Sequence, residues 1–112
     1  MPSIERGAAH QTVITTFEVM PGLCQDLLEL LSSAYREVIS LQPGFLGAAL
    51  HVNDAQTRIA NYSQWRQRED FLAMLRSDEM RRRNREISAL CKSFEPVMYD
   101  VTETFDVPSP GA

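Results

Sequence analysis

Between Gln11 and Val107 the spacing of apolar residues switches between a period of two and a period of three to four, in the order strand, helix, strand, strand, helix, strand. Gln11–Val19 is rich in β-branched residues and places Val13, Thr15, Phe17 and Val19 on one face of a strand. Pro21-Gly22 ends it. Leu23, Leu27, Leu30, Leu31, Ala34, Val38 and Leu41 then mark a long amphipathic helix with Glu29, Arg36 and Glu37 toward water, stopped by Pro43-Gly44. Phe45–Val52 and Thr57–Trp65 read as a hairpin around Asn53-Asp54-Ala55-Gln56. A short helix is expected over Gln67–Leu75. Ser77-Asp78-Glu79 supplies the cap and acidic first turn of another, whose inner face carries Met80, Ile87, Leu90, Cys91 and Phe94. Pro96 precedes a last strand, Val97–Val107.

This order is the split β-α-β-β-α-β pattern of ferredoxin-like α+β folds, with a four-stranded antiparallel sheet and helices on one face. Residues 10–107 form a single domain, with 1–9 and 108–112 as flexible tails. Either parity of the hairpin is apolar: Phe45, Ala49 and Tyr62 on one face, Leu46, Leu50, Ile59 and Trp65 on the other. Helices cover only one face, so a second copy of the sheet is expected on the other, making a homodimer with the form of a dimeric α+β barrel.

Composition narrows the function. A chain of 112 residues is one domain of ordinary apolar content and needs no disulfide or metal to fold. Cys24 and Cys91 are expected as reduced, partly buried thiols. The net charge of −4 argues against nucleic acid. No apolar run reaches the roughly 18 residues of a membrane span, and Met1–Ala9 lacks a signal-peptide core, so a cytoplasmic location is expected. His10 and His51 are isolated, and no ligand-spaced cluster, phosphate loop or nucleophile elbow is present, so no metal or cofactor is expected. A four-residue hairpin loop would pair Ala48 with Asn61 and turn His51 to the opposite face; one bulge would reverse that.

Asn61-Tyr62-Ser63-Gln64-Trp65 is the notable segment. Asn61 and Trp65 share a strand face about 13 Å apart. If that face meets the helices, an amide and an indole N–H project into apolar space, where such groups need partners. They are satisfied structurally or await a ligand.

The element order, Pro43-Gly44-Phe45 and the Asn61–Trp65 run together resemble the antibiotic biosynthesis monooxygenase family, over roughly residues 10–105 and most closely its anthrone and aromatic polyketide oxygenases. The resemblance implies a cofactor-independent monooxygenase that oxidises a phenol, quinol or anthrone to a quinone with O₂. By position it assigns Asn61, Trp65 and Arg85 as catalytic and Phe71 as substrate-binding. Two departures are visible. Such enzymes can carry a pocket tyrosine where this chain has Phe71, and the helical wheel puts Arg85 outside the inner face, with Arg83 and Asn84 nearer. Haem-degrading relatives need a histidine on the helix after the tryptophan, and Gln67–Phe94 has none. The alternatives are a non-catalytic dimeric ligand-binding or accessory module, and a polyketide cyclase or isomerase on the same scaffold.

Overall fold

A computed structural model describes residues 10–107, and the segments 1–9 and 108–112 expected as tails lie outside the described residues. The element order is β1 (Gln11–Val19), α1 (Cys24–Glu37), β2 (Phe45–Val52), β3 (Arg58–Trp65), α2 (Arg68–Arg76), α3 (Asp78–Leu90) and β4 (Cys91–Tyr99). The strands form one antiparallel sheet in the order β2-β3-β1-β4, the ferredoxin-like arrangement.

The inner face of the sheet is Val13, Phe17 and Val19 on β1 with Ile59 and Trp65 on β3, all buried. Cys24, Leu27, Leu31 and Ala34 of α1 cover it. Full burial of a side chain such as Leu27 or Ile59 contributes roughly 1.5–3 kcal/mol. The core divides in two. One cluster gathers Phe17, Leu27, Leu31, Ile59 and Ile87. The other gathers Val13, Val38, Trp65, Phe71, Met74 and Met80. Between them lie buried polar residues of the central strands, Thr15 and its cross-strand partner Asn61, with Ser63 next along β3.

Four expectations change. The α1 helix ends at Glu37, and Ile39–Leu41 tightens into a 3₁₀ turn, so Ile39 is buried while Leu41 stands in solvent. The last strand begins at Cys91, and 101–107 has no regular structure. Pro96 sits inside β4, an edge strand, where proline is tolerated. A register shift between Glu18 and Val19 puts Cys91 opposite Val19 and Phe94 opposite Phe17. Their spacing of three therefore imitates a helix.

The hairpin also pairs differently. Asn53 organises the turn, its side-chain oxygen accepting from the N–H groups of Thr57 and Arg58 at 2.9 Å, and Leu50 rather than Ala48 lies opposite Asn61. A slip of two residues preserves parity, so His51 stays on the outer face, with Nδ1 3.2 Å from the Ala60 carbonyl. At the other end the register shifts at Leu46, so Phe45 lies opposite Trp65 and Gly47 opposite Gln64. Phe45 thereby joins the inner face, and Leu46 is displaced toward water.

Candidate active site

The Pro43-Gly44-Phe45 turn sets the floor of the site. Gly44 has φ of 84°, a left-handed conformation that glycine adopts without strain, and its carbonyl accepts from Arg66 N–H at 2.7 Å. A Cβ on Gly44 would meet the Asp70 side chain at the start of α2. The turn thus pins the start of β2 to the end of β3. Phe45 then meets Trp65 edge-on at 5.4 Å between ring centroids, and Phe71 of α2 meets the other side at 5.9 Å. Trp65 is completely buried between them. Its indole N–H donates to Ser63 Oγ at 3.2 Å, which satisfies it within its own strand.

Asn61 lies farther along the same face and is 8% exposed. Its Nδ2 donates to the Tyr35 hydroxyl of α1. Its Oδ1 is buried and has no hydrogen-bond partner among the described residues. Burial raises the Tyr35 phenol above its ordinary pKa, while hydrogen bonds from Asn61 and Ser63 pull the other way. The phenol is therefore neutral at ordinary pH, with the Asn61 amide donating to its oxygen.

Asn61, Ser63 and Tyr35 border a hollow of about 50 Å³ at the seam of the two core clusters, lined otherwise by apolar side chains including Phe17, Phe71 and Met74. That volume admits water-sized guests. Outside it, a groove of about 420 Å³ runs between α1 and β2, past Ser32, Arg36, Phe45, Ala48 and Leu50, a size suited to a small ligand. Tyr35 is the one residue that lines both spaces.

Of the residues singled out in the sequence, Asn61 and Phe71 line the hollow, while Trp65 does not line it and meets the site through its contacts with Phe71 and Ser63. The structure does not bring Arg85 to them. Arg85 is exposed and lines a shallow surface depression with Arg81, Asn84 and Ser88, because the inner face of α3 is occupied by Met80 and Ile87. Arg83, nearer the core, is held by Glu79, Glu37 and Ser33, with distances of 2.9–3.1 Å, and so straps α3 to α1. Tyr35 and Ser63 escaped the sequence reading. Tyr35 is a lone aromatic one position past Ala34 on the expected inner stripe, and only the crossing of α1 over β3 shows where its hydroxyl ends. Cys24 and Cys91 are free thiols. Among the described residues no three His, Cys, Asp or Glu side chains converge as a metal site would require.

A family model described as antibiotic biosynthesis monooxygenase matches residues 11–86, from β1 into α3. The chain belongs to the antibiotic biosynthesis monooxygenase family. The tetracenomycin-F1 monooxygenase of Streptomyces glaucescens is 28% identical over 99 residues, 88% of each chain. A Streptomyces coelicolor monooxygenase from the gene ActVA-Orf6, solved with nanaomycin D, is 27% identical with a TM-score of 0.73, covering 88% of this chain and 92% of its own. A variant of SnoaB, a cofactor-independent oxygenase from Streptomyces nogalater, superposes with a TM-score of 0.77 at 18% identity, covering 87% of this chain and 97% of its own, and shares the fold. As a member of this monooxygenase family the chain is an enzyme, and its Asn61–Ser63–Trp65 row lies within the matched span.

Proposed function

We propose that the protein is a cofactor-independent monooxygenase that oxidises a phenol, quinol or anthrone-type aromatic to a quinone with O₂. The observation that carries this reading is Asn61: a buried amide with one free end, facing an apolar hollow beside Trp65 in a chain of this family. Ground-state O₂ is a triplet and reacts slowly with closed-shell molecules, but a deprotonated phenol or anthrone passes it one electron readily. The protein's task is then to favour that anion, keep it dry and stabilise the peroxide that follows. For an anthrone the balance is one O₂ consumed, one oxygen atom entering the carbonyl and one leaving as water.

In this reading the free Asn61 Oδ1 accepts from a substrate or peroxide hydroxyl, Trp65 holds Ser63 in place through its indole N–H, and Phe71 packs against the ring system. Each hydrogen bond that forms mainly in the transition state supplies roughly 2–4 kcal/mol. Arg85 takes no part from its exposed position. The ring enters from the α1–β2 groove, whose wall Tyr35 shares with the hollow. Two copies pair through the outer face of the sheet, where Ile14, Ala49, Ala60 and Val97 lie partly buried in the single chain; light scattering at micromolar concentration reports the dimer.

The test is O₂ uptake with a simple anthrone as substrate. Turnover that stops without O₂, and that Asn61→Ala and Trp65→Phe both reduce while the chain stays folded, supports the reading. Wild-type rates in both variants refute it. The open groove between α1 and β2 favours one other reading, ligand binding without turnover, which predicts that the same compounds raise thermal stability with no O₂ consumed.

A further inference from the structure

We propose that Tyr35 is the proton-exchanging catalytic residue of this site, acting first as acid and then as base on the oxygenated substrate. The inference rests on the monooxygenase reading and adds a residue to it. At position 71, the position the family resemblance assigns to a pocket tyrosine, this chain has phenylalanine. Its hollow nonetheless contains a phenol, delivered by α1 instead of α2.

Three observations converge on it. Tyr35 is the only side chain lining the hollow that titrates in an accessible range; the other polar lining groups are the hydroxyls of Thr15 and Ser63 and the amide of Asn61. Its oxygen accepts from Asn61 Nδ2, and Asn61 Oδ1 beside it is buried and unpartnered, so the amide presents an open acceptor next to the phenol. Tyr35 also forms the wall shared with the outer groove, so a molecule passing inward meets this side chain. Arg36 is the charged side chain in that groove, and none from β2, β3, α2 or α3 lines the hollow.

The chemistry closes on itself. The substrate loses one proton to solvent and transfers an electron to O₂, and the two radicals combine into a carbon–oxygen bond, leaving a peroxide anion. Tyr35, protonated at the outset, gives its proton to the outer peroxide oxygen. The resulting phenolate is held by the Asn61 N–H and the Ser63 hydroxyl. It then removes the hydrogen remaining on the oxygenated carbon; the C–H electrons form the carbonyl, the O–O bond breaks and hydroxide departs. Hydroxide recovers the proton lost first and leaves as water, and Tyr35 is again neutral.

Tyr35→Phe keeps the ring and removes the hydroxyl. With an anthrone that the wild type oxidises, the variant is expected to lose on the order of 100-fold in kcat with KM little changed, and to release substrate hydroperoxide, visible by mass spectrometry as substrate plus both oxygen atoms. Quinone formation that keeps pace with O₂ uptake at the wild-type rate overturns the role of Tyr35 and leaves the monooxygenase reading standing. A wild type that consumes no O₂ overturns both. If the variant does not fold, a fluorinated tyrosine at position 35 keeps the shape and lowers the phenol pKa. The alkaline limb of kcat should then move to lower pH, and an unmoved limb overturns the proposal.

Discussion

The amide of Asn61 on β3 donates to the phenol oxygen of Tyr35 on α1, joining residues 26 apart in sequence across the sheet–helix layer. One end of the amide is thereby committed, and the other, Oδ1, is left buried without a partner. A buried acceptor without a partner costs roughly 1–3 kcal/mol. A fold tolerates that where the group is used.

Asn61→Leu should therefore separate stability from activity. Removing the unpartnered oxygen offsets the loss of the bond to Tyr35, so chemical denaturation should place the variant within about 1 kcal/mol of wild type. Oxidation of an anthrone should fall roughly 100-fold or more. A variant that is both far less stable and fully active when folded would contradict this account.

Trp65→Phe should affect both quantities. The indole fills the space between Phe45 and Phe71, and a smaller ring leaves a void and deprives Ser63 of its donor. A cost of about 1–3 kcal/mol is expected in urea denaturation, together with a lower kcat.

Gly44→Ala should destabilise the chain by roughly 1–3 kcal/mol. A side chain is strained at this φ and collides with Asp70, and either relief loosens Phe45 from Trp65. Thermal melting with and without substrate would show whether the site loosens along with the fold.

Arg85→Ala should leave the rate within about twofold of wild type, since its side chain does not approach the hollow. Arg83→Met should instead lower the melting temperature by unfastening α3 from α1. Ser33 and Arg83 hold the Glu37 carboxyl below its ordinary pKa, and Arg82 with Arg83 does the same for Glu79. Carboxylates depressed in the fold stabilise above the ordinary glutamate pKa and lose that effect as pH falls through their folded values. The Arg83→Met variant should accordingly show a shallower fall in melting temperature on acidification.

Tyr35 has the opposite sign. Its phenol is raised in the fold, so its contribution is complete below the ordinary tyrosine pKa and is lost as pH rises through the folded value. Wild type should destabilise in strong alkali more steeply than Tyr35→Phe, and tyrosinate absorbance should show Tyr35 ionising late.

The site was legible where local periodicity decides position. A strand alternates its faces, so Asn61 and Trp65 had to project together, and the start of β2 at Phe45 followed from Pro43-Gly44. Phe71 sat on the apolar stripe of a short helix and is buried there. Arg85 matched the family by position, yet the helical wheel already set it outside the face that Met80 and Ile87 bury. Pro96 misplaced the last strand, since proline cannot reveal from sequence whether its strand lies at an edge.

The sequence by itself determined the order of strands and helices, the apolar faces and the polar pair on β3, because spacing along a chain dictates which side chains share a side. Tertiary structure alone decided the bulge that brings Phe45 rather than Leu46 onto Trp65, and the crossing that lays Tyr35 against Asn61. Register shifts and helix placement are set by how whole surfaces pack, and no local pattern records which hydroxyl arrives beside which amide.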